Sequence, residues 1–210
     1  MPFVYVARHG ETTWNIAGRY QGRRESALSA LGVRQGFALA AEIAARPRIT
    51  RIVSSPLWRC VATARFVADR VGLAVQTDPA LLEIAHGTWE GRYRDEISQN
   101  DRELYLRWRS DPSSVGFSGG ETLRDVADRW QSFARSFDPS GDALVVTHDA
   151  VVRAAIVSET GGDLSALWNV RVYNASYALF SVERGAWTLI DECIETHLTA
   201  LQGDLATQAL

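Results

Sequence analysis

VYVARHGETTWN, residues 4–15, runs from a short apolar stretch straight into an arginine and a histidine side by side. The stretch FVYVA, residues 3–7, is β-branched and uninterrupted by polar residues, which predicts a buried strand. A strand that ends in Arg8-His9-Gly10 places a cation and an imidazole at one edge of a sheet, where a structural domain has little use for them.

Outward from this stretch the chain alternates. Ser29 is a good N-cap for a helix running through Ala45, and TRIVSS (50–55) reads as a second buried strand. Pro56 suits the first turn of the next helix, LWRCVATARFVADRVG (57–72), which Gly72 can end, and LAVQTD (73–78) is a third short strand. Strand, helix, strand, helix, strand indicates parallel pairing through crossover helices. GETLRDVADRWQSFARSF (120–137) is an amphipathic helix. ALVVTH (143–148) is another fully apolar strand, and it too ends in a histidine. AVVRAAIVSET (150–160) is the helix after it, stopped by Gly161-Gly162. SYALFSVER and AWTLIDEC alternate about Arg184-Gly185, the pattern of an antiparallel hairpin. The tail after His197 is weakly patterned and is expected to be loose.

Residues 82–120 hold turn formers, tryptophans and many charges, with one short helix expected around Asp95–Arg109. This segment, about 84–120, reads as a cap inserted over one end of the sheet. The expected fold is therefore α/β. It is a three-layer sandwich with a mostly parallel central sheet, flanking helices, a small cap and a C-terminal antiparallel hairpin, all within one domain of 210 residues.

Composition narrows the function classes. Twenty-two Lys and Arg against 25 Asp and Glu leave a net charge of −3, which argues against a general nucleic-acid or membrane-surface binder. Two cysteines give no disulfide framework, so a reducing compartment is the default. No targeting segment or membrane-spanning apolar run is visible, and the cytoplasm is the expected location.

In open α/β sheets, ligands bind beyond the carboxyl ends of the strands. Here those ends carry Arg8 and His9, then Ser54-Ser55-Pro56 with Arg59 one turn into the helix, then Thr147 and His148. Each group alone has an ordinary structural reading. Together, two arginines and two histidines make a cationic pocket suited to a tetrahedral oxyanion such as phosphate. Gly10 would let the phosphate approach the backbone. No close His-His or Cys-His spacing exists among the four histidines, and a cationic pocket repels a divalent ion, so no metal site and no cofactor are expected.

RHGET (8–12) with Asn15 resembles the signature of the histidine phosphatase superfamily, which includes the cofactor-dependent phosphoglycerate mutases. SSPLWRCVATA (54–64), LLEIAHGTWEG (81–91), GGET (119–122) and VVTHDAVVRA (145–154) are similar to four further segments of that family, in the same order. The resemblance implies that His9 is the phosphorylated nucleophile and Glu83 the general acid. It implies that Arg8, Arg59 and His148 bind the transferring phosphoryl group. Asn15, Gln21 and Gly22 fall where relatives hold the phosphoryl group or substrate, and Thr147 and Asp149, which flank the second histidine, are expected to bind substrate with them. Glu83 can act as an acid only if its pKa is raised, and His9 can attack only if a partner, such as a backbone carbonyl, fixes its tautomer.

Two positions depart from the familiar pattern. Asp149 stands where many relatives have glycine, and as N-cap of the following helix its carboxylate would face backbone donors. His86, in the acid segment, is expected to pack on Trp89. Trp14, Tyr20, Trp89 and Tyr93 are expected near the mouth of the pocket. Thr12 and Glu121 read first as caps, and Asn174 as a turn residue before the hairpin. The region 92–117 carries five arginines among five acids, a mixed charge that favours a phosphatase over a mutase. A non-catalytic phospho-ligand module is the alternative from another class. The expected partner is a small-molecule phosphate ester, with no nucleic acid and no membrane, and a homodimer is left open.

Overall fold

The fold is described from a computed structural model over residues 1–46 and 49–209. Its centre is strand β1 (Phe3–Arg8), which pairs parallel with β4 (Asp142–Thr147) and antiparallel with β5 (Tyr177–Glu183). β2 (Ile49–Ser54) lies on the far side of β4, β3 (Val75–Thr77) beyond it, and β6 (Ala186–Ile194) pairs antiparallel with β5. The sheet order is β3-β2-β4-β1-β5-β6.

The absence of polar alternation in the inner strands now has its cause. Val4, Val6, Ala143 and Val145 point into one core, and Tyr5, Ala7, Leu144 and Val146 into the other. Both faces are covered, so both sets of side chains must be apolar. Helices α2 (Ala30–Ala44) and α3 (Trp58–Val71) cover the face carrying Tyr5 and Leu144. Helices α6 (Leu123–Ser136) and α7 (Asp149–Glu159) cover the other, where Trp130 is fully buried. Ser29 caps α2 through the amide of Gly32 and Gly72 closes α3 at φ +72°, as expected, but α3 starts at Trp58 with Leu57 as its cap, so Pro56 lies before the helix and not in its first turn. Thr12 caps the short α1 (Thr13–Ile16) with a reciprocal bond to Asn15.

Between β3 and α6 the chain has no strand, as the sequence suggests, but its helix is not continuous. It is two pieces, α4 (Arg94–Asn100) and α5 (Arg102–Ser110), broken where Asp101 adopts ψ +39°. Arg92 binds both Glu96 and Asp101, which draws the break closed. Trp89, Ile97, Trp108, Val115 and Phe117 from this segment enter the same core as Val4 and Val145. The tail is not loose either. Gln35 Nε2 donates to the carbonyl of Leu201, Arg94 to that of Ala206, and Gln208 and Ala209 are buried. Among the described residues no helix is long and apolar enough to cross a membrane.

Two glycines weld the loop after β1 to α2. A Cβ on Gly10 would stand 2.6 Å from the carbonyl oxygen of Gly32, and one on Gly32 would stand 1.9 Å from that of Glu11. Gly10 is thus required by contact with a helix turn, not by room for an anion. Replacing Gly32 by Ala forces two backbones apart. It should cost about 1–3 kcal/mol and lower the melting temperature by several degrees. Thermal unfolding followed by circular dichroism measures this, and an unchanged melting point would show that the loop yields freely.

Candidate active site

Strand register brings the functional residues together. Arg8 lies opposite Thr147 and Ser54 opposite Val146, so the residues that follow leave the sheet at one level. The amide of His9 donates to Thr147 O at 3.0 Å, and that of Ser55 to Val146 O at 2.9 Å. The rings of His9 and His148 stand edge to face with centroids 5.3 Å apart. Arg8, His9, Asn15, Gln21, Glu83 and Asp149 border one cavity.

His9 Nδ1 lies 2.7 Å from the carbonyl oxygen of Gly10, which can only accept, so the ring proton sits on Nδ1. Nε2 then presents a lone pair, which receives a bond from Arg59 Nε at 3.3 Å. Burial, with the nearby charges of Arg59 and Arg8, holds the His9 pKa well below its ordinary value. The ring is neutral and its reactive nitrogen is aimed. Arg59 itself is fully buried and anchored through Nη1 to Arg24 O (2.9 Å) and Nη2 to Gly22 O (2.7 Å). Gly22 (φ +50°) makes this possible, since a side chain there would collide with Glu90.

His148 is the N-cap of α7, and its Nε2 lies 2.8 Å from Ser55 Oγ. Burial first, then Arg59, also depress its pKa, so it is neutral until an anion arrives. Glu83 moves the other way. Burial raises its carboxyl to about 7, against the lowering influence of Arg59. Asn15 and Gln21 accept through their amide oxygens, from Thr12 N at 3.0 Å and from Ser26 Oγ at 2.6 Å. Their amide N–H donors are what remain for a ligand.

Some residues are employed differently from the sequence reading. Thr147 is fully buried and its hydroxyl donates to Leu81 O at 2.7 Å, so it ties β4 to the acid segment instead of facing ligand. Asp149 is the first residue of α7 and not its cap. Its carboxylate binds Arg153 Nε (2.7 Å) and Arg8 Nη1 (3.3 Å), and so neutralises the clamp from behind. His86 sits in an aromatic cluster and also borders the cavity. It meets Tyr20, Trp108 and Phe117 at ring distances of 5.0, 5.8 and 4.8 Å, and burial lowers its pKa to about 3. Tyr20 and Trp89 are core residues packed on each other, while Trp14 and Tyr93 hold Arg19 between their faces. The aromatics that do border the cavity are Trp108 and Trp168. Glu121 binds Arg23 and Arg129 and accepts from Ala85 N, leaving Thr122 to cap α6.

The sequence reading gave Ser55 no role of its own, took Asn174 for a turn residue and passed over Gln208. A signal for Asn174 exists: β5 runs antiparallel to β1, so residues just before it must abut the end of β1. Gln208 carries no such signal. Among the described residues no group of three or more His, Cys, Asp or Glu is placed to hold a metal ion.

With this geometry in place, the comparison of the whole sequence with protein families decides the assignment: residues 4–193 match the histidine phosphatase superfamily (branch 1). The chain belongs to that superfamily. It is 35% identical over 198 residues to phosphoserine phosphatase 1 of Hydrogenobacter thermophilus, covering 93% of each protein. It is 30% identical over 196 residues to the probable phosphoglycerate mutase GpmB of Yersinia pestis, covering 92% of this chain and 91% of that one. Among solved structures it superposes on the mycobacterial glucosyl-3-phosphoglycerate phosphatase Rv2419c. That match has a TM-score of 0.78 and 28% identity, and covers 90% of this chain and 97% of the other.

The raised Glu83 pKa fixes a pH dependence of stability. A carboxyl whose folded pKa exceeds its unfolded value stabilises the fold most at low pH. That contribution is lost as pH rises from the unfolded value through about 7. Glu83→Gln removes the dependence. The variant should therefore gain on the wild type by roughly 2–3 kcal/mol between acid and neutral pH, then run parallel above it. Denaturant midpoints across pH read this out, and parallel curves throughout would refute a buried, protonated Glu83.

Proposed function

We propose that this histidine phosphatase superfamily member is a metal-independent phosphomonoesterase for a small phosphorylated metabolite, working through a phosphohistidine at His9. The observation that carries this reading is the pairing at His9. Its proton is fixed on Nδ1 by Gly10 O, and its Nε2 lone pair rests on the guanidinium of Arg59.

An arriving phosphate ester brings negative oxygens that outcompete a neutral ring nitrogen for Arg59. Arg59 turns to them and releases the Nε2 lone pair. His9 Nε2 then attacks phosphorus as the ester P–O bond breaks. Charge in this transfer is spread over three equatorial oxygens, so positioned cations do most of the work. Arg8 and Arg59 supply two. His148, neutral in the empty site, takes up a proton once a dianion lies beside it. Glu83, protonated near neutral pH, gives its proton to the leaving alkoxide. As a carboxylate it next takes a proton from water, which attacks the phosphohistidine and frees His9 and inorganic phosphate.

The segment 84–120 serves as the cap. Two of its five arginines are spent on acids of the same segment, Arg92 on Glu96 and Asp101 and Arg94 on Asp95. That favours a site that releases phosphate to water over a mutase retaining a bisphosphorylated intermediate.

His9→Ala should abolish phosphate release and the acid-labile, alkali-stable label left by a radioactive phosphate ester. Retained turnover would exclude the phosphohistidine route, and loss of activity on adding chelator would exclude a metal-free one. Interconversion of 2- and 3-phosphoglycerate faster than phosphate release would favour the mutase. Glu83→Gln should slow the phosphorylation of His9 by alkyl phosphates, read as the rate of the pre-steady-state burst, by roughly 10²–10⁴ while sparing that by aryl esters, whose leaving groups need no proton. Equal losses on both would remove the general acid from Glu83.

A further inference from the structure

Arg8 is held by more than its own strand. Its guanidinium is 1% exposed. Nη1 donates to Val172 O at 3.2 Å and faces Asp149, and Nη2 donates to Gln208 Oε1 at 2.5 Å. Nε is buried with no partner among the described residues. The outer nitrogens are thus tied from behind, and Nε–H is the donor kept for a ligand.

The bond to Gln208 continues. Gln208 Nε2 donates to Asn174 Oδ1 at 2.9 Å, and Asn174 Nδ2 donates to the carbonyl oxygen of His9 at 3.2 Å. The two ends dictate the direction of the chain. A guanidinium can only donate and a carbonyl oxygen can only accept, so both amide orientations between them are determined. Gln208 is 4% exposed and Asn174 2%, and the bonds run in a low-dielectric interior where each strengthens the next. The turn that presents Asn174 is strained: Ala175 sits at φ +61° and its amide donates to Arg8 O at 3.1 Å. Strain of this kind persists where surrounding structure demands it.

We propose that Gln208, from the C-terminal segment, is a positioning residue. Through Asn174 it locks the clamp Arg8 and the nucleophile His9 into one rigid unit, and aims Arg8 Nε at the phosphoryl group. This rests on the reading of Arg8 as a phosphate clamp. The C-terminal residues then complete the active site, and the protein binds phosphate fully only with them docked.

The test is a double-mutant cycle in the full chain, with inorganic phosphate as the probe. Gln208→Met keeps the side-chain volume and removes both bonds, and Arg8→Lys removes the Nη2 donor. Gln208→Met should weaken phosphate inhibition about tenfold, as expected for losing a hydrogen bond to a charged group. In the Arg8→Lys background the same substitution should have little further effect. Unchanged inhibition in Gln208→Met, or the same factor in both backgrounds, overturns the proposal. Inhibition constants are measured well below each melting temperature, so a loss of fold is distinguished from a loss of aim. Arg8→Lys with wild-type inhibition would instead overturn the clamp reading beneath it.

Discussion

The in-register parallel pairing of β1 with β4, and of β4 with β2, is the constraint on which the rest of the site depends. Arg8 opposite Thr147, and Ser54 opposite Val146, leave no freedom in where His9, Ser55 and His148 emerge. The backbone bonds continue one residue past the strands, from His9 to Thr147 and from Ser55 to Val146. The backbone positions of the two histidines are thereby fixed close enough for their rings to meet edge to face. A slip of one residue would send the apolar residues of β1 into the wrong cores and carry His9 away with them. The packing that stabilises the sheet is therefore also what holds the nucleophile in place.

Burial sets the electrostatics that this geometry uses. Desolvation disfavours charge on Arg8, His9, Arg59, Glu83 and His148, and each responds according to its chemistry. The histidines lose their protons, Glu83 keeps one, and the arginines stay charged although burial lowers their pKa. Two buried guanidiniums, of which Asp149 pairs with Arg8, then stand beside neutral imidazoles. That is an environment an anionic ester improves by entering. Asp149 keeps this tolerable by standing behind Arg8 and Arg153. A glycine there would leave Arg8 facing Arg153 across an unneutralised gap.

How much was legible in the sequence follows from how local each constraint is. Buried strands, capped helices and the antiparallel hairpin were readable because apolar periodicity and capping residues act over a few positions. Arg8, His9 and His148 were readable as candidates because they lie at strand ends. The misreadings fall where tertiary contact overrides local chemistry. Asp149 looked like a cap because acidic residues begin helices, yet a buried arginine from β1 was the stronger partner. Gly10 looked like space for an anion, but a helix turn fills it. The split between α4 and α5 falls at Asp101, which Arg92 holds across the break, and no periodicity reports that. The tail looked loose because its anchors, Gln35 and Arg94, lie more than a hundred residues away in sequence.

The same logic explains why the C-terminal end belongs beside the start of the chain. β5 returns antiparallel along β1, so the turn before it must meet the residues after Arg8. Asn174 fills that corner and donates to the carbonyl of His9, which also accepts from the amide of Ala175. Its own oxygen then needs a donor, and the guanidinium of Arg8 needs an acceptor on the same side. One buried glutamine amide answers both, because it carries an acceptor and a donor on a single rigid plane. A carboxylate would meet only the first need and an ammonium only the second. Through that amide, and through Arg94 on the carbonyl of Ala206, residues 205–209 are tied back to the body of the fold.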